Sequence, residues 1–355
     1  MKNIKRLVIV IFFFGAVFAL MIPLSYALRP MNKANIGTRK RIVGFYAEPE
    51  NSMDIVVVGN SGMYQYVNNP YLWKKTGLTS YNFAFSGNNV FFYEGLIDEA
   101  LKTQSPELII VDARKFVLTK AYETDPDTGE KYYDFDAIRA QRVYDNIKYS
   151  SIRLDMINTV YSDPIDRIVH YFDIISYHEN WEKLDAKQWE YADNEKQHWL
   201  KGFPIVPNID PMPEIDVSQV NEKLPLTDAS EEVLRSLMEK CKNEGIELLF
   251  LSGPWIISEE EQARSNYMKD LVEEFGYQYL DMNPLVEEVG IDESKDFYDD
   301  KHVNVIGSEK VTDYLAKFLV DNYEFDAQHD EAIVDSWNKT WNSYDKKMQK
   351  YREKE

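Results

Sequence analysis

Cysteine is almost absent from this chain: Cys241 is the single one in 355 residues. No internal disulfide can form, so stability has to come from a buried core, and the length is enough for one large α/β domain with an insertion. Cys241 falls in helical register with Leu234 and Leu237, which predicts a packing role and not a reactive thiol. Histidine is scarce as well, with only His170, His178, His198, His302 and His329. Acidic residues are missing from the start: none precedes Glu48, whereas Lys2, Lys5, Arg6, Arg29, Lys33, Arg39, Lys40 and Arg41 all fall there. The remainder is so acidic that the formal net charge is -20, which excludes a nucleic-acid partner by charge balance. Simple solubility accounts for that acidity, and so does a domain held off an anionic surface by a basic collar.

Leu7 to Leu28 is a nearly unbroken apolar run, long enough to span a bilayer core at 1.5 Å per residue, with Pro23 near its end. We read it as an uncleaved signal anchor. Ser25-Tyr26-Ala27 also has the small-x-small pattern of a cleavage site, so removal after Ala27 is the other reading.

Beyond a linker at 29–52, short branched-residue runs alternate with amphipathic stretches. Strands are expected at Asp54–Val58, Ser80–Phe85, Pro106–Asp112, Gly245–Leu251 and Tyr277–Leu280. Helices are expected near Met63–Val67 and over Val90–Thr103, Glu231–Asn243, Glu259–Phe275 and Gly307–Val320. This rhythm predicts an α/β fold, three-layer α/β/α with a parallel central sheet, spanning 53–325. About 136–225 breaks the rhythm and reads as a mainly helical insertion, either a cap over a site or a brace. Its Trp181, Trp189 and Trp199 read as core aromatics, with sugar stacking as the alternative, and His170 and His178 as packing residues. In 326–355, Val334, Trp337, Trp341, Tyr344, Met348 and Tyr351 form one apolar seam on a charged helix, expected to pack back on the domain.

Ser61 sits where the first strand turns into a helix, in Gly59-Asn60-Ser61-Gly62. Such a turn presents a hydroxyl at the carboxyl edge of the sheet, where open α/β folds place ligands. Position 63 is Met, so this is not the G-x-S-x-G elbow. Asp299 and His302 lie three apart in a compact turn opening a helix. Asp326 and His329 repeat that spacing, but in a polar stretch that reads as surface. Serine with a distant Asp/His pair is the raw material of a nucleophilic triad. A metal site on Asp299, Asp300 and His302 is disfavoured, because no second His lies nearby and no ligand-spaced motif supports it. No cofactor is expected.

Gly59-Asn60-Ser61, Asn82-Phe-Ala-Phe-Ser-Gly87-Asn88 and Asp299-x-x-His302-Val-Asn304-x-x-Gly307 together resemble the SGNH/GDSL hydrolase superfamily, whose fold is flavodoxin-like. The likeness is greatest to its membrane-anchored extracytoplasmic branch, which includes teichoic-acid D-alanylation proteins and exopolysaccharide O-acetyltransferases. The resemblance implies Ser61 as nucleophile, His302 as base and then acid, Asp299 as its orienter, and the N–H groups of Ser61 and Gly87 as an oxyanion hole. It implies a serine esterase or O-acyltransferase acting on acetyl or alanyl groups of envelope glycans or teichoic acids, with a membrane-bound acyltransferase as a partner. A catalytically weak surface scaffold, binding a glycan or such an acyltransferase, is the alternative.

It also implies an extracytoplasmic domain on a single-pass anchor behind a basic cytoplasmic start, 1–6. The heavier Lys/Arg flank after the apolar run points the other way. Two departures stand out. Asn60 replaces the usual Asp before the serine, and Asp112-Ala113-Arg114-Lys115 stands in place of the family's Gly-x-Asn-Asp block. The Asn that completes the oxyanion hole is thereby missing, with Asn88 or Arg114 as candidate replacements. Losing such a donor costs roughly 10²–10³ in rate.

Overall fold

The structure is a computed structural model that describes residues 2–186, 188–189 and 196–352. Five short strands form one parallel sheet: β1 Ile55–Gly59, β2 Ser80–Ala84, β3 Leu108–Asp112, β4 Leu248–Ser252 and β5 Gln278–Asp281. Their order is β2-β1-β3-β4-β5. Every residue of β1 to β4 is buried, because helices cover both faces of the sheet. Successive side chains alternate between two cores. Val56, Val58, Ile109 and Phe250 meet Leu96, Leu234, Cys241 and Met268 on one side. Ile55, Val57, Ile110 and Leu249 meet Met63, Leu72, Val311 and Leu315 on the other. The strand order reverses between β1 and β3, which opens a crevice at their carboxyl ends.

Caps set where the helices begin. Ser258 and Glu261 form a reciprocal capping box at the helix Glu259–Glu274. Asn304 Oδ1 accepts from the N–H groups of Ile306 and Gly307 at 3.0 and 3.1 Å and starts the closing helix Val305–Asn322.

The N-terminal region differs from the sequence expectation. Helix α1, Lys2–Leu28, carries the apolar run, and α2, Lys33–Tyr46, follows where a linker at 29–52 was expected. Ile42 and Phe45 of α2 are fully buried, with the Phe45 ring 4.5 Å from that of Phe83. Their three-residue spacing is diluted among basic residues, so periodicity alone did not show it. Lys201 and Glu48 form a buried ion pair at 2.7 Å that ties this region to the insertion.

Among the described residues the insertion is helical chiefly in its first half, with further helical residues at 186 and 188–189. Helices run over Ala137–Tyr144, Ser151–Val160, Pro164–Tyr171 and Asp173–Tyr177, and a 3-10 turn follows. From 196 to 226 there is no regular element. That segment is extended and pinned to the domain. Asn82 N–H donates to Lys201 O at 3.1 Å, Val305 N–H to Val206 O at 2.8 Å, and Asp210 N–H to Phe297 O at 2.8 Å. Trp181, Trp189 and Trp199 are 65%, 44% and 52% exposed, so they are not core aromatics. His170 does pack, stacked on Tyr161 at 4.2 Å, whereas His178 is exposed.

The tail, Glu331–Arg352, packs back on the domain as its seam predicts. Trp337, Tyr344 and Met348 are buried, and Tyr344 Oη donates to Glu309 at 2.7 Å and accepts from Asn68 Nδ2 at 2.8 Å. His329, read from sequence as surface, instead has a side chain only 8% exposed, its Nε2 3.1 Å from Asp54 Oδ2 but off hydrogen-bond geometry.

Two outcomes follow for stability. Trp337→Ala should cost about 3–5 kcal/mol in chemical denaturation, as for other large-to-small core changes, while leaving reactivity at Ser61 intact below the melting range. Burial, with Arg41, Lys40 and Lys201 nearby, depresses the His198 imidazole to about 3. The unfolded chain takes up that proton near pH 6.5. Stability should therefore be full above that pH and fall as the pH drops toward 3, and denaturation of His198→Gln at pH 7.5 and 5.0 should show a smaller loss than the wild type.

Candidate active site

Three elements converge at the carboxyl edge between β1 and β3. The first is the turn from β1 into α3, Ser61–Tyr66. Asn60 caps α3, its Oδ1 accepting from Gly62 N–H at 2.7 Å, which sets Ser61 at the start of the helix, half-buried. The second is a hairpin in which Phe297–Asp299 pairs antiparallel with His302–Val303. The third is the end of β3, Asp112 to Arg114.

The residues predicted as a triad are brought together across 241 positions of sequence. His302 Nε2 lies 2.8 Å from Ser61 Oγ, and His302 Nδ1 lies 2.8 and 3.0 Å from the two Asp299 oxygens. Burial acts to raise the Asp299 carboxyl, but the His302 contact and the N–H groups of Lys301 and His302 outweigh it, and the net effect is below the ordinary range. An ionised Asp299 accepts a hydrogen bond from Nδ1–H, which fixes the tautomer and leaves the Nε2 lone pair facing the serine hydroxyl. Tyr298 stacks on the imidazole, rings 5.4 Å apart and 6° from parallel, and limits its rotation. No sequence signal marks Tyr298, because stacking is a tertiary relation.

Two backbone donors are left open on the turns that follow β1 and β2, which are joined by Phe85 N–H and Asn88 Nδ2 donating to Gly59 O. Among the described residues the N–H groups of Ser61 and Gly87 have no partner. Gly87 has φ +72, a conformation that glycine adopts without strain. Asn88, predicted as a further donor, is spent elsewhere. Its N–H donates to Phe85 O, its Nδ2 to Gly59 O at 3.1 Å, and its Oδ1 accepts from Asn89 N–H. With the side chain buried at 1% exposure, Asn88 shapes the turn that carries Gly87.

Arg114, the other candidate replacement, is a brace. Its Nη2 donates to Asn60 Oδ1 at 3.1 Å, and its Nη1 to Tyr66 Oη at 3.1 Å and to Lys301 O at 2.6 Å. One buried guanidinium thus joins the residue before the serine to the residue before the histidine. Gly62 permits this, because a Cβ there would lie 2.8 Å from Arg114 Nη2. Asp112 completes the support, its Oδ2 accepting from Asn60 N–H at 3.1 Å and Tyr93 Oη at 3.2 Å. Burial raises the Asp112 carboxyl, against the pull of Arg114 and these hydrogen bonds.

Further cations stand around the crevice. A Cβ on Gly87 would lie 2.4 Å from Arg139 Cδ, so the first insertion helix reaches this corner. Burial lowers the Lys115 pKa, opposed by Asp112 and reinforced by Arg114, Arg139 and Lys120. Sequence reasoning missed this grouping, since its members come from separate segments. Among the described residues no group of three or more His, Cys, Asp or Glu is placed to hold a metal ion.

Arg114→Lys keeps the charge but loses the fork that reaches both turns. A displacement of about 1 Å between nucleophile and base costs on the order of 10²-fold. The labelling rate of Ser61 by a fluorophosphonate should fall by about that factor, with an unchanged circular dichroism spectrum. No protein-family model matches this chain and no curated protein matches it, so its functional reading rests on this geometry.

Proposed function

We propose that the chain is a serine-dependent esterase or O-acyltransferase working through an acyl-enzyme, a membrane-anchored relative of the SGNH/GDSL hydrolases. The observation that carries this is the continuous relay from Asp299 through His302 to Ser61 Oγ. His302 Nε2 takes the hydroxyl proton as Ser61 Oγ attacks the ester carbonyl. Asp299 stabilises the imidazolium, and the N–H groups of Ser61 and Gly87 receive the developing oxyanion. Collapse passes the proton to the departing alcohol. Water or a glycan hydroxyl then attacks the acyl-serine by the same route in reverse.

The substrate we infer is an acetyl or alanyl ester on an anionic envelope polymer, a decorated glycan or a teichoic acid. Lys115 and Arg139 favour a polyanion, because Lys115 follows Arg114 at the end of β3 and Arg139 lies against Gly87 in a chain of net charge -20. We place the domain outside the cytoplasm. A second reading, a weakly active scaffold that binds such a polymer or a membrane acyltransferase, is favoured by one observation: Asn88 is committed to backbone, which leaves two oxyanion donors.

The test uses the full chain in detergent, because α2 belongs to the core. A fluorophosphonate probe and a generic acetyl ester should label and turn over with the wild type. Ser61→Ala should abolish labelling, and His302→Ala should lower turnover by roughly 10³-fold or more. His329→Ala should leave both unchanged. A folded wild type that neither labels nor turns over would move the assignment to the scaffold.

A further inference from the structure

The end of α1 is built into the domain and does not dangle from it. Leu7 to Phe14 are exposed, whereas Ser25, Ala27 and Leu28 are at most 2% exposed. Asn180 Nδ2 donates to Leu28 O at 2.9 Å, so the insertion seats directly on the helix end. The segment Ile4–Leu28 has mean hydropathy 2.9 and the length to cross a bilayer. With α1 in a membrane, the residues at and just after its end, Tyr26, Arg29 and Pro30, lie at headgroup depth. Trp181, next to Asn180 and 65% exposed, lies at the same level, where tryptophan concentrates at membrane–water boundaries.

A cavity of about 140 Å³ opens at this level, several times what one ordered water needs. Arg29, Arg39 and Arg142 line it, with Asn32 and Asn35 at the start of α2 and Tyr26 from the end of α1. Arg29 is 7% exposed. Its Nε and Nη2 both donate to Asp173, its Cζ lies 4.1 Å over the Tyr26 ring, and its Nη1 has no hydrogen-bond partner among the described residues. A buried guanidinium N–H left unsatisfied is costly, and its presence on a cavity wall points to an acceptor supplied from outside. Asp145 also lines the cavity, but its charge is answered by Tyr177, which donates to it, and by Arg153 at 3.6 Å. Asp173 is shared between Arg29 and Arg153. Arg29, Arg142 and Arg153 therefore stand against two carboxylates, and the positive N-terminal end of α2 adds to the field.

We propose that this cavity is a phosphate site at the foot of the anchor, which takes the anionic headgroup of a membrane phospholipid. Arg29 supplies the buried donor, Arg142 closes the solvent side, and exposed Ile138 and Trp181 rest against the lipid around it. The site is separate from Ser61 and owes nothing to the esterase reading. It would hold the domain at a set height and rotation over the bilayer.

The experiment is thermal unfolding of the full chain in neutral detergent, titrated with phosphatidylglycerol, phosphatidylcholine or inorganic phosphate. Phosphatidylglycerol should raise the melting temperature saturably, and the other two should not. Arg142→Glu, a half-buried side chain whose reversal leaves the core intact, should weaken that response about tenfold, as expected for a lost charge-assisted contact. Arg39→Gln should act in the same direction, and each variant's melting temperature without lipid checks its folding. An equal response to phosphatidylcholine, or a response undiminished in folded Arg142→Glu, would overturn the site. A response to inorganic phosphate alone would overturn the lipid assignment.

Discussion

One buried guanidinium organises this molecule. Arg114 lies past the end of β3, at the strand-order reversal, and binds Asn60 Oδ1 on one loop and Lys301 O on another. Taking a charge out of water costs several kcal/mol unless its donors are matched. Here burial opposes the charged form, yet Tyr66, Asp112, Tyr93 and Asp299 outweigh it and the net effect is upward, so the cation persists. Because the two loops share that cation, neither can move alone, and the 2.8 Å contact between Ser61 and His302 is held from behind. Asn60 fits this arrangement. Its neutral amide accepts from both Gly62 N–H and Arg114 without adding a second carboxylate beside Asp112.

The end of the domain that carries α1 repeats the same device. Arg29, Arg153, Asp173 and Asp145 form a buried ionic cluster between α1 and the insertion, and Lys201–Glu48 forms another between α2 and the extended segment. Arg41 of α2 donates to Gly202 O at 2.8 Å and stacks over Tyr64, one helical turn after Ser61. Buried ion pairs add little net stability, but they penalise every arrangement in which a partner is missing. They therefore fix how α1 and α2 sit on the α/β domain, and through Arg41 that orientation extends to the helix carrying the serine.

The sheet strands were legible because a parallel strand buried on both faces is a short unbroken apolar run, as in Ile55–Val58 and Leu108–Val111. The helix Asp228–Glu244 was legible from its apolar spacing. α2 was not, since two buried large apolar side chains, Ile42 and Phe45, among four basic residues, Lys33, Arg39, Lys40 and Arg41, leave no periodic signal. The three tryptophans of the insertion were misread as core for a related reason. Composition shows that a side chain is apolar but not whether anything covers it.

The triad illustrates the division most directly. Residue type and local turn chemistry singled out Ser61, Asp299 and His302, because a strand-to-helix turn and an Asp three residues before a His can be read from adjacent positions. What distinguishes His302 from His329, which has the same spacing to an Asp, is long-range packing: one hairpin lies against the β1 turn, and the other histidine packs beside Asp54. The brace by Arg114, the stacking of Tyr298 and the diversion of Asn88 to Gly59 O are likewise contacts between segments distant in sequence. By itself the sequence determined the strands and flanking helices of the α/β core, the apolar N-terminal helix and the reactive residue types. Tertiary structure alone decided which polar groups face one another, because hydrogen bonds and buried charges are satisfied in space and leave no periodicity along the chain.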